Sequence, residues 1–251
     1  MKKENIMGAT LSKGAYFPPQ LTNQLFNLVR GKSSLARLSQ QAPIPFNGET
    51  VFTFSLDSEV DLVAENGAKS NGGATIGTVS MQPVKVEYGM RVSDEFRFAS
   101  EEIQLQYLTA FAEGFANKVA RGLDIMAFHG VNPRSKLEAA VLNDKNFDDL
   151  ITQTVVYDSD KPQNNVQAAI DLIQGNEHEV TGLAMAPTFR SALAAVKSAK
   201  DSNIPLFPEL GWGRDAGSIN GLAADSNSTV NFNSNADRAI VGNFADFFKW
   251  G

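Results

Sequence analysis

Thr50-Val51-Phe52-Thr53-Phe54-Ser55-Leu56 is the stretch on which the fold turns. Its residues alternate, with Phe52, Phe54 and Leu56 on one face and Thr53 and Ser55 on the other, which is the period of a β-strand. Residues 65–77 follow with Gly67, Gly72, Gly73 and Gly77 and few large apolar groups. A second alternation then predicts a strand from about Val79 to Val92. Val84, Val86, Tyr88, Met90 and Val92 fall on one face there, and Lys85, Glu87, Gly89 and Arg91 on the other. Two strands around a glycine-rich tip make a long β-hairpin. A two-stranded hairpin is marginal in water by itself, so this one is expected to dock on another element or another subunit.

On the N-terminal side, Gly8 to Pro19 is small and polar, and Gly14, Pro18 and Pro19 favour an extended path. A short amphipathic helix is predicted next, with Leu21, Leu25, Leu28 and Val29 on one face and Gly31 as its stop. Leu35 and Leu38 continue the apolar stripe. This arm has too little surface to form a core, so it must lie on something.

On the C-terminal side, Ser100 is a helix cap, and Glu101 and Glu102 in the first turn suit the helix dipole. Leu108, Phe111, Phe115, Val119, Leu123 and Met126 step by three or four and predict one long helix to about Phe128. At 1.5 Å per residue it spans roughly 40 Å. Gly130-Val131-Asn132-Pro133 ends it. Beyond lie a β-branched run within residues 147–157, a helix from about Asn164 to Gln174, and a buried strand from Leu183 to Ala186. A helix around residues 189–199, a proline- and glycine-rich loop over 201–221 and a last strand from Ala239 to Val241 complete an α+β pattern. The chain stops on Phe244, Phe247, Phe248 and Trp250, a pattern that looks interrupted, so part of the C-terminus is expected to be missing.

Bulk properties exclude several functions. A hydrophobic content of 43% with 20% charged residues indicates an ordered chain. The absence of cysteine removes disulfides, zinc–thiolate sites and cysteine nucleophiles. A net charge of −6 without clustered Lys or Arg argues against gripping nucleic acid. It does not argue against enclosing it. No secretory signal and no apolar run long enough for a membrane span are found, so cytoplasmic synthesis is expected.

Catalytic chemistry finds little support. His129 closes the long helix and His178 sits in a polar loop, and neither belongs to a base-plus-nucleophile motif. Both read as structural or solvent-exposed. Asp148-Asp149 and Asp158-Ser159-Asp160 read as solvated turns, so no metal and no cofactor are expected. Gly211-Trp212-Gly213-Arg214 resembles a phosphate cradle but lacks the spacing and lysine of a P-loop. Phe207 and Trp212, large aromatics among prolines, read instead as a packed surface loop or subunit contact.

The order of elements resembles the Hong Kong 97-type major capsid proteins of tailed phages. The arm with Phe17-Pro18-Pro19 through Leu38, the hairpin from Thr50 to Val84 and the long helix carry the resemblance. Leu35-Ala36-Arg37-Leu38, Ala64-Glu65-Asn66-Gly67-Ala68, Met185-Ala186-Pro187-Thr188-Phe189 and Ala239-Ile240-Val241-Gly242-Asn243-Phe244 are similar to family phrases. The resemblance implies an N-terminal arm over residues 1–42 and a P-domain over 43–130. That domain would include an extended E-loop at about 50–84 and a spine helix at about 100–128. An A-domain would cover 131–251, without the usual C-terminal return to the P-domain. It also implies a non-enzymatic shell subunit forming hexamers and pentamers around viral DNA. A separate scaffolding protein and a portal are implied partners. Assembly would occur in the bacterial host cytoplasm and the product would reside in the virion. Phe52, Phe54, Lys69, Phe207 and Trp212 are the expected inter-subunit contacts. Some members crosslink through an E-loop lysine, which would be Lys69, but the asparagine partner would lie past Gly251. An encapsulin-like compartment shares this fold and is the nearest alternative. A soluble α+β enzyme with a hairpin lid is the alternative from another class.

Overall fold

The computed structural model describes residues 32–89, 91, 94, 98–199 and 202–251. The predicted arm helix over Leu21 to Val29 and the extended path before it lie outside the described residues. The chain divides into two compact units, one of residues 42–87 with 250–251 and one of residues 1–41 with 88–249.

The smaller unit is the hairpin. Strand β1 (Glu49–Leu56) pairs antiparallel with β2 (Ala74–Met81) in the register Glu49↔Met81, Phe52↔Thr78, Phe54↔Ile76 and Leu56↔Ala74. At its base Gly48 adopts φ +80°, and a Cβ there would stand 2.4 Å from the Met81 carbonyl oxygen, so only glycine fits. At the open end the Asp57 amide donates to the Gly73 carbonyl at 3.0 Å, and Thr75 Oγ1 donates to Asp57 Oδ1 at 2.8 Å. The second strand therefore comes earlier than the alternation predicted. Residues 82–89 are not part of a strand, and Met90 and Val92 lie outside the described residues. The ladder ends because Met81 already faces the first residue of β1, and Pro83 carries no N–H to extend it.

The larger unit is built around helix α2 (Glu101–His129) and a four-stranded sheet. Gly130 closes α2 in the left-handed region at φ 63°, its amide donating to Met126 O. Before it, the short helix α1 (Ser34–Leu38) carries the arm's last residues, and after it come α3 (Phe147–Leu150) and α4 (Pro162–Gln174). Strand β3 (Gly182–Met185) is buried at every position and leads into α5 (Pro187–Ala195). Strands β4 (Ser218–Ile219), β5 (Leu222–Ser226) and β6 (Ala239–Gly242) follow, and then α6 (Phe244–Phe247). The sheet order is β4-β5-β3-β6, with β3 parallel to β5 and antiparallel to β6. Phe128, Leu183, Met185, Phe189, Leu193, Leu210 and Phe244 fill the core against this sheet.

One further expectation differs from the structure, and the β-branched run within 147–157, to which the sequence assigns no element, resolves into a short helix and irregular chain. Asn146 caps a helix there by accepting the Asp149 amide at 3.0 Å, and 151–157 are irregular. Helix α5 ends at Ala195 rather than near residue 199, because Val196 turns extended and its carbonyl accepts the Leu206 amide at 2.9 Å.

The buried face of α2 is also displaced from the predicted stripe. Phe111, Phe115, Val119, Leu123 and Met126 are half-buried and Leu108 is exposed, while Ala116, Ala120, Asp124, Ile125 and Phe128 are buried. Asp124 is the reason. Its carboxylate accepts from Ser33 Oγ at 2.5 Å, Ser34 N at 2.9 Å, Leu35 N at 3.1 Å, Thr229 Oγ1 at 2.9 Å and Asn227 Nδ2 at 3.3 Å. The arm's end lies on the long helix through this carboxylate, and Ser33, Ser34, Leu35 and Ala36 are buried with it. Ser34 Oγ also donates to Asp225 on β5, and Arg37 bridges Asp225 at 2.8 Å and Asp215 at 2.6 Å. Burial pushes the Asp124 pKa up, and the hydrogen bonds from Ser33, Ser34, Leu35 and Thr229 oppose that rise. Replacing Asp124 by Ala leaves two hydroxyls and two amides without their acceptor. We expect a loss of about 3 kcal/mol of unfolding free energy, measured as a lower urea midpoint at unchanged m-value.

Candidate functional site

The residues expected to touch other subunits fall into three kinds. On the hairpin, the ladder places Phe52, Phe54, Leu56, Ile76 and Thr78 on one face. Phe52 is 76% exposed, and Phe54, Leu56 and Ile76 are comparably open. Val60 and Leu62 in the loop beyond the strands are almost fully exposed, and Lys69 is exposed beside them in sequence. Isolated surface apolar residues are ordinary, but a contiguous apolar strand face marks an interaction surface. Covering Phe52, Phe54, Leu56 and Ile76 would contribute roughly 6–12 kcal/mol before ordering costs.

In the larger unit, Trp212 projects completely into solvent from the loop after a short 3-10 turn at Pro208–Leu210. Arg214 does not hold a phosphate cradle open, since its Nη1 donates to the Pro208 carbonyl at 3.4 Å and its own carbonyl accepts from Arg190. Phe207 is a correction. It is buried in the core of its own chain, because the backbone bridge from Val196 to Leu206 draws the loop's start inward. A side chain already covered by its own core cannot be a subunit contact.

The histidines also separate. His178 is exposed and meets the edge of Phe247 at 5.6 Å between ring centroids. His129 is buried, in keeping with the structural of the two alternatives, and both ring nitrogens are engaged. Nε2 meets the Thr229 carbonyl at 2.8 Å, and Nδ1 lies 2.9 Å from Asp148 Oδ2 and 3.2 Å from Asn235 Nδ2. Burial opposes the charged ring, yet Asp148, the Thr229 carbonyl and Asp237 outweigh it and hold the pKa above the ordinary histidine value. Among the described residues, the partners of the His129 ring are a carboxylate, a carboxamide and a backbone carbonyl. Sequence reading missed both Asp124 and the convergence of Asp148 and Asp237 on His129. The first was signalled by an aspartate spaced four residues from Ala120 and Phe128 on the buried line. The second had no sequence signal, because the three residues come from separate segments.

Comparison with known proteins gives no matching family model and no matching curated protein. Solved structures do match. A protein of Mycobacterium phage Ogopogo superposes with a TM-score of 0.70 at 28% identity, covering 85% of this chain and 74% of that one. A protein of Gordonia phage Cozz superposes with a TM-score of 0.57 at 18% identity, covering 85% and 69%. The mixed α+β fold is thus one that phage proteins use. No described helix is long and apolar enough to cross a membrane.

The contrast between the two aromatics can be checked directly. Phe207→Ala should lower unfolding free energy by about 3–4 kcal/mol, whereas Trp212→Ala should change it by less than about 0.5 kcal/mol. Urea denaturation followed by circular dichroism measures both.

Proposed function

We propose that this chain is a shell subunit of the Hong Kong 97 type, the major capsid protein of a tailed phage. It would act by self-assembly into hexamers and pentamers around viral DNA, with neither catalysis nor cofactor. The observation that carries this reading is the exposed apolar face of the hairpin, Phe52, Phe54, Leu56 and Ile76, on a strand pair that no third strand joins among the described residues. An element of this kind is stable when a neighbouring copy covers it. The likeness to two phage proteins supports the same reading, as does the order of arm, hairpin and long helix. The net charge of −6 suits a container that must not adhere to packaged DNA. This role would involve a portal and either a separate scaffolding protein or a chain already processed, and the virion would be its destination. Lys69, exposed in the loop between the strands, is proposed as a further contact residue.

Light scattering and negative-stain microscopy of the full chain test the proposal. Closed shells, or rings of five or six subunits, are the expected product. The double variant Phe52→Ser/Phe54→Ser should stay monomeric with an unchanged far-ultraviolet spectrum, because both side chains are exposed within the chain. A wild-type chain that remains a folded monomer at every concentration would overturn the shell reading.

A further inference from the structure

His129, Asp148 and Asp237 arrive at one point from three segments: the last turn of α2, helix α3, and the loop before β6. One ligand atom from each lies within 4.8 Å of the others. Nδ1 of His129 is 2.9 Å from Asp148 Oδ2 and 3.9 Å from Asp237 Oδ2. Donor atoms around a tetrahedral ion with bonds of about 2.0–2.1 Å stand about 3.3 Å apart. The two observed distances bracket that value, so an ion needs only small side-chain shifts.

The supporting contacts are those of a ligand set. Nε2 of His129 is held by the buried Thr229 carbonyl at 2.8 Å, which fixes that nitrogen as the donor and turns Nδ1 toward the carboxylates. Asn235 Nδ2 donates to Asp237 Oδ2 at 2.7 Å and orients the second carboxylate in the same way. Nδ1 faces Asp148 Oδ2 at 2.9 Å, Asn235 Nδ2 at 3.2 Å and Asp237 Oδ2 at 3.9 Å, and a proton or a metal ion on Nδ1 offsets the charge of the two carboxylates. A polar cleft of about 440 Å³, lined by His129, Lys136, Glu138, Asp148, Asp149 and Asn235 among others, opens beside the imidazole, and Asp237 lies outside its lining. Asp148 and Asp237 are about half exposed, at 47% and 42% of their side chains, while His129 is 4% exposed. The buried group is the imidazole, and the carboxylates reach in from the solvent side.

We propose that His129 Nδ1, Asp148 and Asp237 bind one divalent transition-metal ion, of the zinc, cobalt or manganese class, with water completing its coordination. One nitrogen and two carboxylate oxygens favour these ions over calcium, which takes six to eight oxygens. Binding replaces the Nδ1 proton, which leaves to solvent. The ion would pin the end of α2 to α3 and to the strand β6 loop. This inference stands apart from the shell reading and involves no residue of the hairpin.

Cobalt(II) titration of the full chain, freed of metal by chelation, is the test. One ion per chain is expected, with visible d–d absorption and a raised thermal midpoint. Asp148→Asn and Asp237→Asn should each weaken binding by at least about tenfold with unchanged circular dichroism. His178→Gln should leave binding unchanged. Absence of binding, binding by either asparagine variant as tight as that of the unaltered chain, or loss of binding in His178→Gln would overturn the proposal.

Discussion

A carboxylate buried near the C-terminal end of a long helix holds the larger unit together. Asp124 has no solvent contact, and stripping an ionised carboxylate of water is costly unless donors replace it. Five donors do so, from Ser33, Ser34, Leu35, Asn227 and Thr229. They come from the arm's end and from the loop after β5, so one side chain fixes two remote segments to α2. Two of them are backbone amides at the start of α1, which places the carboxylate where a helix most needs an acceptor. Ala116 and Ala120 on the same line are small and fully buried, leaving room for a backbone to approach. The arm therefore enters the core as a hydrogen-bonded strap whose path is set before the hairpin begins.

The two units solve opposite problems. In the larger one, apolar side chains from α2, β3, α5 and α6 converge on the sheet, and even Phe207 from a loop joins them. In the hairpin a full ladder pairs the inner edges of the two strands while both faces stay open. A sheet of two strands cannot bury its own side chains, since each face needs a second layer. An open apolar face of this kind is suited to an interaction surface. The fold as a whole is like that of two phage proteins.

Polar chemistry concentrates at the end of α2. His129 stacks against Phe232 at 6.4 Å and lies edge-on to Phe128 at 6.2 Å, so its ring is held by aromatic packing as well as by hydrogen bonds. Arg121, over the other ring at 5.7 Å from the Phe232 centroid, extends the same cluster along the helix. Burial and the nearby Asp148 carboxylate both push the Asp237 pKa up, while His129 offsets part of the rise. Two carboxylates and one imidazole are thus kept close by a frame that none of them supplies.

The sequence by itself determined what local period and punctuation can determine. The alternation of Thr50 to Leu56 became β1, the glycine at 130 ended α2, and Pro162, Gly182 and Ala239 opened elements close to where they were read. Periodicity sees a face but not its partner, so it extended the second strand through Val84 and Tyr88, which are not part of a strand. Only the tertiary structure decided that Asp124 lies on the buried side of α2, that Phe207 belongs to the core and Trp212 to the solvent, and that His129 meets Asp148 and Asp237. Each of these depends on groups brought together from distant parts of the chain. Their burial and hydrogen bonding are set by what packs opposite them, a quantity that local spacing does not contain.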